Sequence, residues 1–236
     1  RDEGYRELRA VFKAPSEDYY FVAVDQGQVE ARVIEMAAKD QCYGAYLWDR
    51  HDIHGEWAER IAHACPARIG GRKFIKDKDT MKKFRTDIKN QWTFPLFFGA
   101  NLWSVSEYLT IPVSTLEPLV EQFWDEYRGV REWQARLKQF YRENGYVECL
   151  TGRRRRAPIQ PTELINSPIQ GTASDITVDA WTRLSGAVME TGLLQFQARM
   201  EIHDELVFAV PKKTFDRDVQ LIADYLLECK HFPFIN

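Results

Sequence analysis

Tyr19-Tyr20-Phe21-Val22-Ala23-Val24-Asp25 is an apolar run that ends on a carboxylate. A second segment, Ala198-Arg199-Met200-Glu201-Ile202-His203-Asp204-Glu205-Leu206-Val207-Phe208-Ala209-Val210, holds an acidic turn between two further runs of strand-forming residues. The first reads as a buried strand, because residues 19–24 are continuously apolar and rich in β-formers. The second reads as two strands over 197–210 with a tight turn near His203-Asp204. Antiparallel strands from both ends of the chain can meet in one sheet, which sets Asp25 and Asp204 side by side. The fold class is then α+β: an antiparallel sheet carries the carboxylates, and the middle of the chain projects as a largely helical lobe.

Working outward, helical periodicity runs from Val29 to Leu47. Asp52 can cap a helix through Ile53, Trp57 and Ile61, and Gly70-Gly71 breaks the chain. Residues 79–93 read as one helix capped by Asp79 or Thr80. Ser114 and Thr115 open another, with Leu116, Leu119, Val120, Phe123, Trp124, Tyr127 and Val130 on its apolar side. A further helix stops at Asn144-Gly145. Ser167-Pro168 reads as a helix start, with Ser as N-cap and Pro in the first turn, and that helix runs to about Glu190. A final helix spans Phe215 to Cys229.

Composition narrows the class. With 44% hydrophobic and 28% charged residues in 236, the chain is globular rather than disordered. No apolar stretch reaches the ~18–20 residues of a membrane span, so no membrane partner is expected. Arg1-Asp2-Glu3 has no apolar core behind it and does not read as a signal peptide. The missing initiator Met points to a fragment. Cys42, Cys65, Cys149 and Cys229 are scattered without a CxxC pair, which favours reduced thiols in a cytoplasmic setting over a zinc ribbon. His51, Asp52, His54 and His63 fit no standard zinc spacing.

The net charge of -3 conceals segregation. Arg68 to Lys89 holds nine basic and three acidic residues, a local +6, and Arg153 to Arg156 adds +4, leaving -13 elsewhere. Such a distribution can bind a polyanion despite an acidic average. Carboxylates on strand ends beside concentrated positive charge suit metal-dependent chemistry on phosphates. Two Mg²⁺ ions ~3.5–4 Å apart neutralise entering and leaving oxygens in phosphoryl transfer. Asp25, Asp204 and the backbone carbonyl of Gln26 supply hard oxygen ligands for them, with Mn²⁺ as a substitute ion. Arg85 and Lys89, four apart, share a helical face on which a fork and a point charge could grip a triphosphate.

Together these pieces resemble the family A DNA polymerases, over essentially the whole chain and in order. Asp25-Gln26-Gly27-Gln28-Val29-Glu30-Ala31-Arg32 looks like the first catalytic motif. Asp52-Ile53-His54 is similar to the segment that opens the fingers, and Arg85-x3-Lys89 followed by aromatics and Gly99 to the nucleotide-binding helix. Thr151-Gly152-Arg153-Arg154-Arg155, Asn166-Ser167-Pro168-Ile169-Gln170-Gly171-Thr172-Ala173 and His203-Asp204-Glu205 match three more motifs.

The resemblance implies template-directed DNA synthesis from dNTPs on a primer, in replication or repair. It implies a palm at 1–49 and 166–236 around fingers at 50–165. Asp25 and Asp204 would bind the metals with Gln26, and Glu205 would support them without being an essential ligand. Glu30 would be the steric gate against a ribose 2′-OH. Gln28, His54, Arg85, Lys89, Phe94 and Phe98 would serve the incoming nucleotide. Asn166 and Gln170 would meet the template or terminal base pair, and His203 the primer terminus. Arg153, Arg154, Arg155 and Arg156 would lie near the DNA backbone. Implied partners are primer-template DNA, dNTPs, and further polymerase segments or a processivity factor.

The short connection from Arg156 to Asn166, ten positions further on, resembles phage members, which would place the protein in a bacterial host's cytoplasm. The family's thumb, first palm segment and exonuclease domain are expected to lie outside this sequence, leaving an unpaired sheet edge. Two alternatives are a single-subunit RNA polymerase, against which Glu30 and Glu205 stand, and a non-catalytic nucleic-acid-binding piece of a split polymerase.

One departure has a structural consequence. Counting back from Gly99 puts Phe94 at the nucleobase-stacking position and Phe98 at the family's tyrosine position, with one extra residue after Lys89. Counting forward from Lys89 gives Thr93 and Phe97. The first register keeps an aromatic in place and is preferred. An added residue turns a helix by ~100° unless a π-bulge absorbs it, and Pro95 favours a kink. A bulged or kinked helix between Lys89 and Phe98 is therefore expected. Phe98 also lacks the hydroxyl that holds the gate glutamate in the family, which would loosen Glu30.

Overall fold

A computed structural model describes residues 12–49, 51–191, 196–202 and 205–228. Strand β1 (Tyr19–Asp25) leads into helices α1 (Val29–Ala38), α2 (Gln41–Trp48) and α3 (Ile53–Ala64). Two 3₁₀ turns, Pro66–Ile69 and Arg72–Lys76, precede α4 (Lys78–Ile88). A π-helical turn, Lys89–Thr93, joins α4 to the short α5 (Phe94–Phe97). Helices α6 (Leu102–Leu109), α7 (Val113–Glu126) and α8 (Arg128–Asn144) follow, then a hairpin of β2 (Tyr146–Glu148) and β3 (Arg154–Arg156). The long α9 (Pro161–Thr191), strands β4 (Gln197–Ile202) and β5 (Glu205–Pro211), and α10 (Phe215–Leu227) complete the order. The contacts divide into two compact units, Arg1–Val29 with Thr172–Asn236, and Glu30–Gly171.

In the first unit the ends of the chain do share one antiparallel sheet, ordered β1-β5-β4. Its core lies on one face, where Ala180 and Leu184 of α9 and Ile222 and Leu226 of α10 cover Leu206, Phe208 and Val210. Central β5 is buried on both faces, whereas β1 is not the buried strand its apolarity suggested. Val22 and Val24 pack on the core, but Tyr20 and Phe21 are 49% and 38% exposed. The reason is position: β1 is an outer strand of the sheet among the described residues, so an apolar sequence does not guarantee two covered faces.

The second unit is built on aromatic packing. Trp57 stacks within 5.4 Å of Trp92 and 5.1 Å of Phe123, and Phe97 lies 5.0 Å from Phe123. Among the polar residues buried there, Asp40 ties two helices together. Its carboxylate caps α2 by accepting from the Tyr43 N–H at 3.0 Å and reaches the Val130 N–H of α8 at 3.2 Å.

Capping decides where the helices begin. Asp52 caps α3 as its sequence position suggests, accepting from the Gly55 N–H at 3.1 Å. Gly145 ends α8 in the left-handed region (φ 72°). The cap of α4 is Asp77 rather than Asp79 or Thr80, and α7 starts at Val113 behind Pro112 with no side-chain cap from Ser114 or Thr115. Ser167-Pro168 is not a helix start. Pro161 begins α9, Glu163 reaches back to accept from the Gln160 N–H at 3.2 Å, and Pro168 sits inside the helix. An interior proline removes one backbone bond and costs ~3 kcal/mol, which the burial of Leu164, Ile165, Ile169 and Ala173 offsets.

Candidate active site

Asp25 ends β1 with its side chain exposed, and its register partner on β5 is Glu205. Directly opposed residues of an antiparallel pair have Cα atoms about 4.5–5.5 Å apart, and like charges there repel. A divalent cation would remove that repulsion. The available donors, carboxylate and carbonyl oxygens, are the hard ligands Mg²⁺ prefers. Gln26 is fixed locally: its side-chain oxygen lies 2.9 Å from the buried Thr177 hydroxyl, and its carbonyl accepts from the Val29 N–H at 3.2 Å. Gln28 follows in the left-handed region (φ 60°), an uncommon conformation for a side-chain-bearing residue that turns the chain from β1 into α1. His203 and Asp204 lie outside the described residues.

Glu30 begins the second unit in the first turn of α1. Its carboxylate is one of the charges around Tyr43, whose phenol is pushed well up, first by burial and then by neighbours including Glu30 and Glu35.

The expected bulge is present after Lys89. Backbone bonds run from the Lys89 N–H to the Arg85 carbonyl, from Phe94 to Lys89, and from Phe98 to Phe94. The steps are four, five and four residues, so Arg85, Lys89, Phe94 and Phe98 follow one another up a single face. Uniform α spacing would have put Thr93 and Phe97 there. Instead those two are buried, at 0% and 1% exposure, while Phe94 and Phe98 are half-buried. Gln134, on α8, braces the end of this segment by donating to the Leu96 and Phe97 carbonyls at 3.0 and 2.9 Å. Gly99 (φ 89°) must be glycine on two counts, because a Cβ would also stand 2.7 Å from Ile165.

Around that face the groups are specific. The Lys89 ammonium lies 5.1 Å from the Phe94 ring centroid. His54 packs edge-on against Phe94 at 5.5 Å, and its Nε2 is 3.5 Å from the Tyr46 hydroxyl. His54 is 4% exposed, and its buried Nδ1 has no hydrogen-bond partner among the described residues. Burial, then the Arg85 and Lys89 charges, push its pKa down to about 4 against a weaker pull from Asp52. The ring is therefore neutral at pH 7. Arg85 forks Asp52, with Nε 2.8 Å from Oδ2 and a terminal nitrogen 2.7 Å from Oδ1. That hydrogen bond is the main reason the Asp52 carboxyl lies below the usual range.

The arginine run sits on the β2–β3 hairpin, and Arg153, Arg154 and Arg155 have protein partners. Arg153 donates to the Gly171 carbonyl at 2.8 Å, and Arg154 pairs with Glu148 across the strands. Arg155 reaches Ser167 at 2.8 Å and Glu163 at 2.9 Å on α9. A Cβ on Gly171 would fall 2.4 Å from the Cys149 sulfur, so glycine there lets the hairpin press onto the helix. Asn166 and Gln170, one turn apart on α9, differ in setting: Gln170 is exposed and the buried Oδ1 of Asn166 lacks a partner among the described residues.

Tyr46 and Gln134 escaped the sequence reading. Gln134 left a signal, since a polar residue one turn after Val130 interrupts an apolar stripe. Tyr46 left none.

The described residues thus set a strand-end carboxylate pair in one unit and a cationic, aromatic helical face in the other. The DNA polymerase family A model matches residues 1–234, and the chain belongs to that family. DNA polymerase I of Chloroflexus aurantiacus is 28% identical over 96% of this chain and 24% of its own length. The thermostable DNA polymerase I of Thermus aquaticus is 26% identical over 94% of this chain and 26% of its own. The chain thus spans about a quarter of the length of the curated relatives it matches. The polymerase domain of Pol1 from M. smegmatis, solved with DNA primer-template and dNTP, shares the fold. Its TM-score is 0.77 at 24% identity, over 96% of this chain and 40% of that one.

Proposed function

We propose that this chain forms palm (1–49 and 166–236) and fingers (50–165) of a polymerase that transfers nucleotidyl groups from dNTPs to a primer 3′-OH on a DNA template. The observation that carries this reading is the π turn, which brings Arg85, Lys89, Phe94 and Phe98 onto one face beside a neutral, buried His54. A triphosphate needs a guanidinium fork and a point charge. A nucleobase needs an aromatic plane, which Phe94 offers.

Each residue then has a task. Arg85 leaves Asp52 for the phosphates, an exchange of low cost because both side chains are about half exposed. His54, being neutral, can add an N–H hydrogen bond to the same anion but no charge. Glu30 crowds the sugar 2′ position. Asp25 and Asp204, with the Gln26 carbonyl, hold two Mg²⁺ ions, and Glu205 supports them. Bound there, the ions lower the cost of charge on the attacking and leaving oxygens. Gln170, Asn166 and His203 meet the primer-template, and Arg156 and the arginine hairpin its backbone. Further polymerase segments or a processivity factor complete the assembly in the cytoplasm.

The test is extension of a labelled primer in low salt. Synthesis should require Mg²⁺ or Mn²⁺, and Asp25→Asn or Asp204→Asn should slow it ~10²–10³-fold. Extension that survives chelation, or that both variants leave unchanged, would sink the assignment.

A further inference from the structure

An open cavity of about 550 Å³ lies in the second unit, lined by His63, Arg72, Lys73, Ile75 and Lys76. It is distinct from the His54 face. His54 and His63 sit in the first and last turns of α3, nine residues and so ~13 Å apart along its axis. Three of the lining cations come from the 3₁₀ turn Arg72–Lys76. With three residues per turn, Lys73 and Lys76 line up on one side, and Arg72 and Ile75 on the next. A five-residue segment thus delivers three positive charges and one apolar side chain to a single concavity.

The charge is not spent internally. Elsewhere in the basic stretch Arg68 pairs with Asp87 and Arg85 with Asp52. Arg72, Lys73 and Lys76 have no ion-pair partner among the described residues, and the Lys73 ammonium rests over the Phe74 ring at 5.0 Å. The neighbouring Asp77 is engaged, accepting from the Thr80 N–H at 2.9 Å to cap α4. The adjacent end of α3 is a C-terminus, whose dipole repels anions, so side-chain cations carry the whole attraction.

We propose that this cavity is a second phosphate-binding site, which holds the sugar-phosphate backbone of a single-stranded nucleic-acid segment. The size is that of a ligand pocket rather than of one phosphate. The apolar wall at Ile75 suits a sugar or base edge. A flexible single strand can enter a concavity that a stiff duplex cannot. The proposal extends the polymerase reading, because such a strand is what an unpaired template would present.

The test is fluorescence anisotropy on the full chain with a labelled dT20, a blunt duplex and inorganic tripolyphosphate, from 50 to 200 mM salt. Replacing Arg72, Lys73 and Lys76 by Ala should weaken dT20 binding about ten-fold or more and make the log–log salt slope shallower by about two. Duplex binding should change less. The cation-keeping set Arg72→Lys, Lys73→Arg and Lys76→Arg should bind as wild type. An equal charge loss on α8 (Arg136, Lys138 and Arg142 to Ala) should leave dT20 binding near the wild-type value. An unchanged slope, equal losses from the α8 set, equal losses for duplex, or losses confined to tripolyphosphate would each overturn the proposal. Primer extension measured alongside reports separately on the polymerase reading: a chain that binds dT20 through the cavity but extends no primer keeps this site and loses that function.

Discussion

His54 shows how a single side chain can be tuned by its surroundings. In the folded chain its pKa is about 4, below the ordinary 6.5, because burial and the cations Arg85 and Lys89 oppose protonation. Between those values the unfolded chain takes up a proton that the folded chain refuses. Stability from this group is therefore complete above pH 6.5 and declines as pH falls toward 4. Urea midpoints of wild type and His54→Gln, compared at pH 7.5, 5.5 and 4.5, should converge as pH falls. Parallel curves would show that His54 does not carry the effect. Phe98 poses a different question. It meets Phe94 edge-on at 6.2 Å and has no hydroxyl with which to fix a neighbouring carboxylate. If Glu30 is the sugar gate, Phe98→Tyr should raise discrimination against ribonucleotides by a few-fold, on the order of one hydrogen bond. Equal dNTP-to-rNTP ratios in single-nucleotide incorporation would count against that link.

At the scale of elements, the π turn was legible because it followed from counting. One extra residue between Lys89 and Gly99, with a proline inside, leaves either a bulge or a misplaced aromatic. The same arithmetic makes an unusual prediction. Asn90 is exposed and lies within the π turn. Its deletion should convert the turn to ordinary α spacing while keeping Arg85, Lys89 and the two phenylalanines on one face. The melting temperature should stay within a few degrees, whereas deleting exposed Lys82 from α4 rotates everything beyond it by ~100° and should unfold the unit. Equal damage from both deletions would mean the bulge is not an insertion. Gln134 gives a second check. Gln134→Leu strips a donor from two buried carbonyls and should cost ~1–3 kcal/mol in denaturant unfolding; an unchanged midpoint would remove it from the account. What was not legible at this scale had long-range causes. Ser167-Pro168 has the local chemistry of a helix start, yet apolar residues on both sides of Pro168 are buried and carry the helix through it. The strand at 19–24 is apolar enough for a core, but only sheet order reveals that among the described residues it pairs on one side.

For the whole molecule, the informative quantity is the spread of charge rather than its sum. The formal -3 would predict no attraction to DNA, but +6 and +4 are concentrated in two short segments while -13 is dispersed. The structure refines that count unevenly. On the hairpin, Arg154 and Arg155 already face Glu148 and Glu163, so four arginines need not act as four free charges. Such exposed pairs are individually weak, and a phosphate can displace the carboxylate at little cost. The basic stretch from Arg68 to Lys89 loses only Arg68 and Arg85 to ion pairs among the described residues. Binding of a primer-template should therefore be governed by counterion release, with affinity falling ~10²-fold or more between 50 and 200 mM salt. Anisotropy titrations at four salt concentrations would give the slope. A steep line assigns recognition to phosphates gripped by these two segments. A nearly flat one would mean that the dispersed acidic surface cancels them, and that affinity for DNA comes from groups other than the ones the charge map marks out.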